Sequence, residues 1–257
     1  MTNKYALITD TTSGIGRALS EKFAQEGINL ILVSRDLQKL SKQADFLSTK
    51  YAIEIHAIVA DLKQENAAHM IYKKTKEIGI NIQYLINNAG FNERGTFLET
   101  SLSNEIDMIK VHVIHTTEMM KFFIPNMVKN GYGRVLNLGS TASFMPCPNS
   151  SVYGATKAYV LYVSKGISEE LKKTGVTVTA LCPGATNTAF AHKAKMEHTL
   201  LFRAFVMKPE SVASIGYRAM MRGKSRVVAG TYNKLLVMST MLLPEFITNP
   251  ITKAMLR

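Results

Sequence analysis

The chain has 257 residues, 46% hydrophobic and 19% charged, with no low-complexity tract, so it can bury one sizeable core and is neither disordered nor fibrous. Cys147 and Cys182 are its two cysteines, which excludes a disulfide framework and a cysteine-built metal site, and no metal is expected. The formal net charge of +12 favours anionic partners, yet the lysines are scattered and form no arginine-rich arm or aromatic-basic platform; most read as solvated helix faces, and no nucleic-acid partner is expected.

The first residues lead into an apolar run too short for a signal peptide or a membrane span, and a cytoplasmic protein is expected. Residues 5–9 read as a buried strand. The turn Asp10, Thr11, Thr12, Ser13, Gly14, Ile15, Gly16 follows, then an amphipathic helix over 17–26 ended by Gly27. Strand, glycine turn and helix form a phosphate-binding unit, because N–H groups at the helix start face the anion and glycines let the backbone approach it. Its candidate binding residues are Thr9, Thr12, Ser13, Gly14, Ile15 and Gly16. Residues 29–34 form a second strand that ends at Arg35 and Asp36. In dinucleotide folds an acidic residue here takes the ribose hydroxyls and selects NAD, whereas an arginine accommodates the 2′-phosphate of NADP. Arg35 is the first residue past the strand and favours NADP(H), with NAD(H) the alternative; Asp36 opens the next helix.

A third strand covers 53–60 and ends at Asp61 and Leu62; a helix over 65–78 leads to a fourth strand, 82–86, which runs into Asn87, Asn88, Ala89 and Gly90. A long helical pattern over 103–130 carries Ile106, Ile109, Val113, Met119 and Met120 as an apolar stripe, read as core or subunit contact. Residues 134–138 form a fifth strand, and Ser140 leaves its carboxyl end, where open α/β sheets place active residues. A helix over 151–173 carries Tyr153 and Lys157, four residues apart and therefore on one face. A lysine held near a phenol lowers its pKa from about 10 toward neutrality. A tyrosine so tuned can exchange a proton with a carbonyl or alcohol oxygen, and Ser140 can hydrogen-bond that same oxygen. A sixth strand, 176–182, is followed by Pro183, Gly184 and Thr188; a helix starts at Pro209 and a seventh strand covers 226–229. The alternation implies one α/β domain doubly wound about a parallel sheet. The apolar runs of the tail are broken by Pro244 and Pro250 and cannot span a bilayer; they pack on the pocket or a neighbour, or lie against an anionic membrane surface.

Ser140, Tyr153 and Lys157 at this spacing resemble the Ser-Tyr-Lys set of the short-chain dehydrogenases/reductases. Other motifs extend the likeness from Thr9 to Thr188: Thr9, Gly14 and Gly16 match T-G-x-x-x-G-x-G, the run Asn87 to Gly90 matches N-N-A-G, and Pro183, Gly184 and Thr188 match P-G-x-x-x-T. The resemblance implies a single Rossmann-type domain over 1–257 with a seven-stranded parallel sheet, a substrate lid at 189–208 and a C-terminal tail at 231–257. It implies that Asp61 and Leu62 meet the adenine, that Asn87, Ala89 and Gly90 approach the ribose, and that Pro183, Gly184 and Thr188 meet the nicotinamide carboxamide. The chain looks like an NADP-preferring bacterial branch of reductases. The implied activity is NADPH-dependent interconversion of a ketone and a secondary alcohol on a small carbonyl or alcohol substrate, hydrophobic or acyl in character. Tyr153 then donates the proton, Ser140 holds the oxygen, and Lys157 lowers the tyrosine pKa and binds the ribose. A homodimer or homotetramer is implied as well.

Two positions depart from the family pattern. Asp10 stands where the first glycine belongs, and His112 stands where an asparagine supports the lysine through water. His112 is expected to keep that water chain and to titrate near pH 6.5, giving an acid limb in turnover; a core histidine is the alternative. A cofactor-binding protein with little turnover is the rival reading that these departures suggest, and a peripheral membrane-associated binder is the one that the charge suggests.

Overall fold

In the computed structural model the described residues are 4–188 and 206–243. Seven strands, all parallel, are ordered β3-β2-β1-β4-β5-β6-β7: β1 Tyr5–Thr9, β2 Asn29–Ser34, β3 Ile55–Val59, β4 Ile82–Asn87, β5 Gly133–Leu138, β6 Val176–Cys182 and β7 Arg226–Val228. The central strands are apolar without alternation because both faces of the sheet are covered, as a parallel sheet requires. Successive side chains of β1 serve opposite cores. Tyr5 and Leu7 join Ile71, Met119 and Phe123 on one face, whereas Ala6 and Ile8 join Leu19, Phe23, Leu40 and Met220 on the other.

The helices are α1 Gly14–Gln25, α2 Leu37–Tyr51, α3 Ala67–Glu77, α4 Leu102–Ile109, α5 His115–Lys129, α6 Ser151–Glu170, α7 Pro209–Met221 and α8 Thr231–Leu242. Helix α1 begins at Gly14 rather than Arg17, since Arg17 N–H already bonds back to Ser13 C=O at 3.1 Å. Strand β3 is shorter than expected because β2 pairs with it only from Leu30 to Ser34.

The helix expected over 103–130 is interrupted. Between α4 and α5 lies a π-helical turn, Lys110–Ile114, in which the His115 N–H reaches back to the Lys110 carbonyl. The inserted residue rotates the apolar stripe, so Ile106 and Ile114 are exposed and Met108, Val111, His112, His115 and Met119 face the core. The start of the tail forms α8, with Leu236 facing the cleft described below and Leu235, Met238 and Leu242 exposed. Among the described residues no helix is long and apolar enough to cross a membrane. The expected lid falls largely at 189–205, outside the described residues, as do 244–257 of the tail.

Candidate active site

Because all strands run the same way, the loops leaving their carboxyl ends gather on one edge of the sheet. The order reverses between β1 and β4, the switch point where such folds hold ligands. A cleft opens there in two lobes that share Asp10, Ser13, Gly90 and Asn92. The first lobe is lined by Gly14 to Gly16, Ser140, Met145, Cys147, Tyr153, Lys157, Pro183, Gly184, Thr188 and Leu236. The second is lined by Ser34, Arg35, Asp61, Leu62, Lys63, Ala89 and Val111.

The turn after β1 is closely packed. A Cβ on Gly16 would lie 2.0 Å from the Asp10 carbonyl oxygen, so no side chain fits there. Asp10 itself adopts φ 54°, the left-handed region that suits glycine; aspartate enters it more readily than most residues. The Asn88 side chain pins the turn by donating to the carbonyls of Thr9 at 2.9 Å and Asp10 at 3.2 Å. In return the Thr9 hydroxyl accepts from the N–H groups of Asn88 and Ala89, both at 3.0 Å. Thr9 and Asn87, expected to bind cofactor, turn their side chains inward. Asn87 Nδ2 donates to Asn137 Oδ1 at 2.8 Å, and Asn137 Nδ2 donates to Ser164 Oγ at 2.9 Å. These groups build the wall and do not line it. Thr12 is likewise engaged by Ser34, hydroxyl to hydroxyl at 3.1 Å.

In the second lobe Arg35 is exposed. Asp36 caps α2: its carboxylate accepts from the Lys39 N–H at 3.1 Å and pairs with Lys39 Nζ at 2.8 Å. The Asp61 carboxylate accepts from the Lys63 N–H at 3.1 Å, and Leu62 is buried beneath it. A glycine turn at a helix start that a Cβ would fill, continuous with an open lobe that carries Arg35, Asp61 and Lys63, fits an elongated dianionic dinucleotide.

In the first lobe Ser140 caps a short 3₁₀ turn, Thr141–Phe144, and its Oγ accepts from the Ala142 N–H at 3.1 Å. Lys157 is buried, and its ammonium donates to the Leu138 carbonyl at 2.8 Å. Burial lowers its pKa to about 8. Tyr153 keeps part of its surface open to the cleft, but its hydroxyl is desolvated and its pKa is pushed up to about 12, a hydrogen bond with Ser140 pulling the other way. The expected depression of the phenol by Lys157 is therefore not what the geometry gives. The ammonium is held by a carbonyl, 5.7 Å from the Tyr153 ring centroid, and burial moves the two groups apart in the unexpected sense. At neutral pH Tyr153 holds its proton and Lys157 most of its charge.

His112 also differs from expectation. Its Nε2 accepts from the Phe91 N–H at 3.1 Å and its Nδ1 lies 2.8 Å from Thr156 Oγ1, so both nitrogens are engaged by protein groups. Burial, and then the Lys157 charge, hold its pKa well below 6.5, which removes the titration expected near neutrality.

Three supporting residues escape a reading by motif. Ser143 accepts from the Ser140 N–H at 3.2 Å and donates to the Lys157 carbonyl at 2.7 Å, tying β5 to α6. Its signal was present, since Ser140 and Ser143 are three apart and form a capping box. Thr156 bonds His112, as above. Asn233 of α8 fills the space against Gly184, where a Cβ would meet its Oδ1 at 2.3 Å, and no local pattern announces that contact.

The sequence profile of the short chain dehydrogenases matches residues 4–199. The chain belongs to this family. It is 35% identical over 185 residues to hydroxysteroid dehydrogenase-like protein 1 of Gallus gallus, covering 70% of this chain and 55% of that protein. It is 33% identical over 194 residues to the very-long-chain 3-oxoacyl-CoA reductase of Bos taurus, covering 73% and 61%. The chain thus spans little more than half the length of the first of these short-chain dehydrogenase relatives. Among solved structures it is similar to a short-chain dehydrogenase from Sphingobium yanoikuyae in complex with NADPH, with TM-score 0.83, 30% identity and 89% of each chain covered.

Proposed function

We propose that the protein is an NADPH-dependent carbonyl reductase, able in reverse to oxidise a secondary alcohol. The observation that carries this reading is the convergence of Ser140, Tyr153 and Lys157 on one lobe of a cleft whose other lobe presents Arg35. A bound nicotinamide cofactor would supply the hydride for the carbonyl carbon. Ser140 then hydrogen-bonds the substrate oxygen, and Tyr153, protonated at neutral pH, delivers its proton there, completing the alcohol. Lys157, anchored on the Leu138 carbonyl, would keep a positive charge beside the developing phenolate and would bind the ribose of the cofactor.

Gly14, Ile15 and Gly16 would hold the pyrophosphate, Arg35 the 2′-phosphate, Asp61 and Leu62 the adenine, Ala89 and Gly90 the ribose, and Pro183, Gly184 and Thr188 the nicotinamide. The preference for NADP(H) over NAD(H) rests on Arg35 and on the commitment of Asp36 to the start of α2. Ala142, Met145, Cys147 and Leu236 give the substrate side an apolar wall, which supports a hydrophobic or acyl ketone. Assembly as a homodimer or homotetramer belongs to the same reading, and exposed Leu102, Ile106, Ile114 and Tyr162 supply apolar surface for it. The decisive experiment is NADPH oxidation against a panel of short, long-chain and polycyclic ketones. The reading expects turnover on at least one bulky apolar ketone; tight NADPH binding without turnover on any would replace it with a binding role.

A further inference from the structure

The hydrogen bonds around His112 define its tautomer. Because the Phe91 N–H donates to Nε2, that nitrogen carries the lone pair, and in the neutral ring the proton sits on Nδ1. Nδ1–H then donates to Thr156 Oγ1, and the threonine hydroxyl donates its own hydrogen to the Tyr153 carbonyl at 2.8 Å. The chain of donors runs in one direction, from the backbone after Gly90 to the first turn of α6, with every member satisfied. Its middle member, His112, sits in the π-helical turn, a distortion often retained where a side chain must be aimed. The His112 ring meets the Tyr153 ring edge-on, with centroids 5.9 Å apart. Its fit is close, because a Cβ on Gly90 would meet Nε2 at 2.7 Å. Lys157 and Tyr153, both from α6, are the titratable groups facing it. An imidazolium would set its new N–H against the Phe91 N–H and place a second cation beside Lys157.

We propose that His112 and Thr156 form a neutral strut that fixes the Tyr153 turn of α6 against the cleft wall, both acting as positioning residues and neither as a proton carrier. A two-sided contact of this kind matters because a displacement of about 1 Å at a reacting group costs on the order of a hundredfold in rate. The kinetic consequence rests on the reading of Tyr153 as proton donor; the bonding pattern does not.

The test pairs spectroscopy with kinetics on the full chain. Histidine ¹⁵N spectra should show His112 protonated at Nδ1, with Nε2 a bare acceptor, at pH 7 and still at pH 6. Thr156→Val removes the hydroxyl at nearly constant shape and should lower kcat by about tenfold, with the NADPH KM within about twofold of the parent. Thr156→Ser, which restores the hydroxyl, should return kcat to within about twofold of the parent. An Nε2–H tautomer or an imidazolium at pH 7 overturns the strut, as does a Thr156→Val enzyme with parental kcat or a Thr156→Ser enzyme equally slow. If Thr156→Val does not fold, the parent spectrum decides alone. A protein inactive on every ketone would still display the tautomer, so failure of the activity reading stays separable.

Discussion

In the catalytic lobe each polar group described around the reacting position is held by another. Ser140 is fixed through Ser143 and Ala142, Lys157 by Leu138, and His112 by Phe91 and Thr156. In the dinucleotide lobe Arg35 is exposed at the end of β2, and half-buried Asp10, where the two lobes meet, sits in a left-handed turn packed against Gly16 and pinned by Asn88. The contrast teaches where substitution is tolerated. A buried group cannot change without stranding its partner, which costs the full desolvation of that partner, whereas an exposed group acts through charge, in graded and salt-screened fashion.

The hardest way to break the buried side is Tyr153→Phe. It removes the proton donor, and turnover should fall at least about a hundredfold with cofactor affinity little changed; steady-state kinetics with NADPH checks it, and an active variant would sink the assignment. Next comes pH. Lys157 is held at about 8, below its ordinary value, so its charge is lost as pH rises through about 8. Reductase kcat/KM should then fall up to about tenfold per pH unit above that point. Stability runs the opposite way. With the folded pKa depressed, the unfolded chain binds the extra proton between about pH 8 and the ordinary lysine value, so this group adds stability as pH rises through that window. A pH–rate profile beside melting curves of the parent and Lys157→Met tests both signs.

On the exposed side, Arg35→Ala should weaken NADPH by about tenfold and NADH hardly at all, with the difference shrinking as salt is raised; fluorescence titration of both cofactors decides it, and equal affinities in the parent would reject the preference. Ser143→Ala should lower kcat by about fivefold and leave the cofactor KM in place, since it loosens Ser140 from α6 without touching the dinucleotide lobe. The smallest effect expected is Asp10→Gly. It removes one carboxylate from beside a dianion and relaxes a φ of 54°, and should tighten cofactor binding by a few-fold at low salt, fading with ionic strength.

Much of this was readable from the chain. Apolar runs, glycine turns and ordered motifs located every strand and brought Ser140, Tyr153 and Lys157 to one strand edge. The misses have physical causes. The π-helical turn inserts one residue, and a stripe of apolar residues reads much the same with or without it until the structure shows which face is covered. Thr9 and Asn87 are assigned by motif, and a motif match does not tell whether a side chain reaches the cleft or, as their hydrogen bonds place both here, braces its wall. Spacing put Lys157 on the face of Tyr153, but the direction of each pKa shift depends on burial and on the Leu138 carbonyl, contacts that no local pattern encodes.

The strand order carries a consequence for biosynthesis. Tyr5 pairs with Asn29 on one side and with Ile82 on the other, so β1 lies inside the sheet between a neighbour translated soon after it and one translated much later. Strands β1 to β3 can join while β1 still shows a bare hydrogen-bonding edge, and that edge closes only once β4 has been made. A nascent chain halted before Ile82 would present Leu7 and Ile8 on an open parallel edge, a template for aggregation and a natural target for a chaperone. Ser140, Tyr153 and Lys157, the residues proposed to act on the substrate, are all translated after β4.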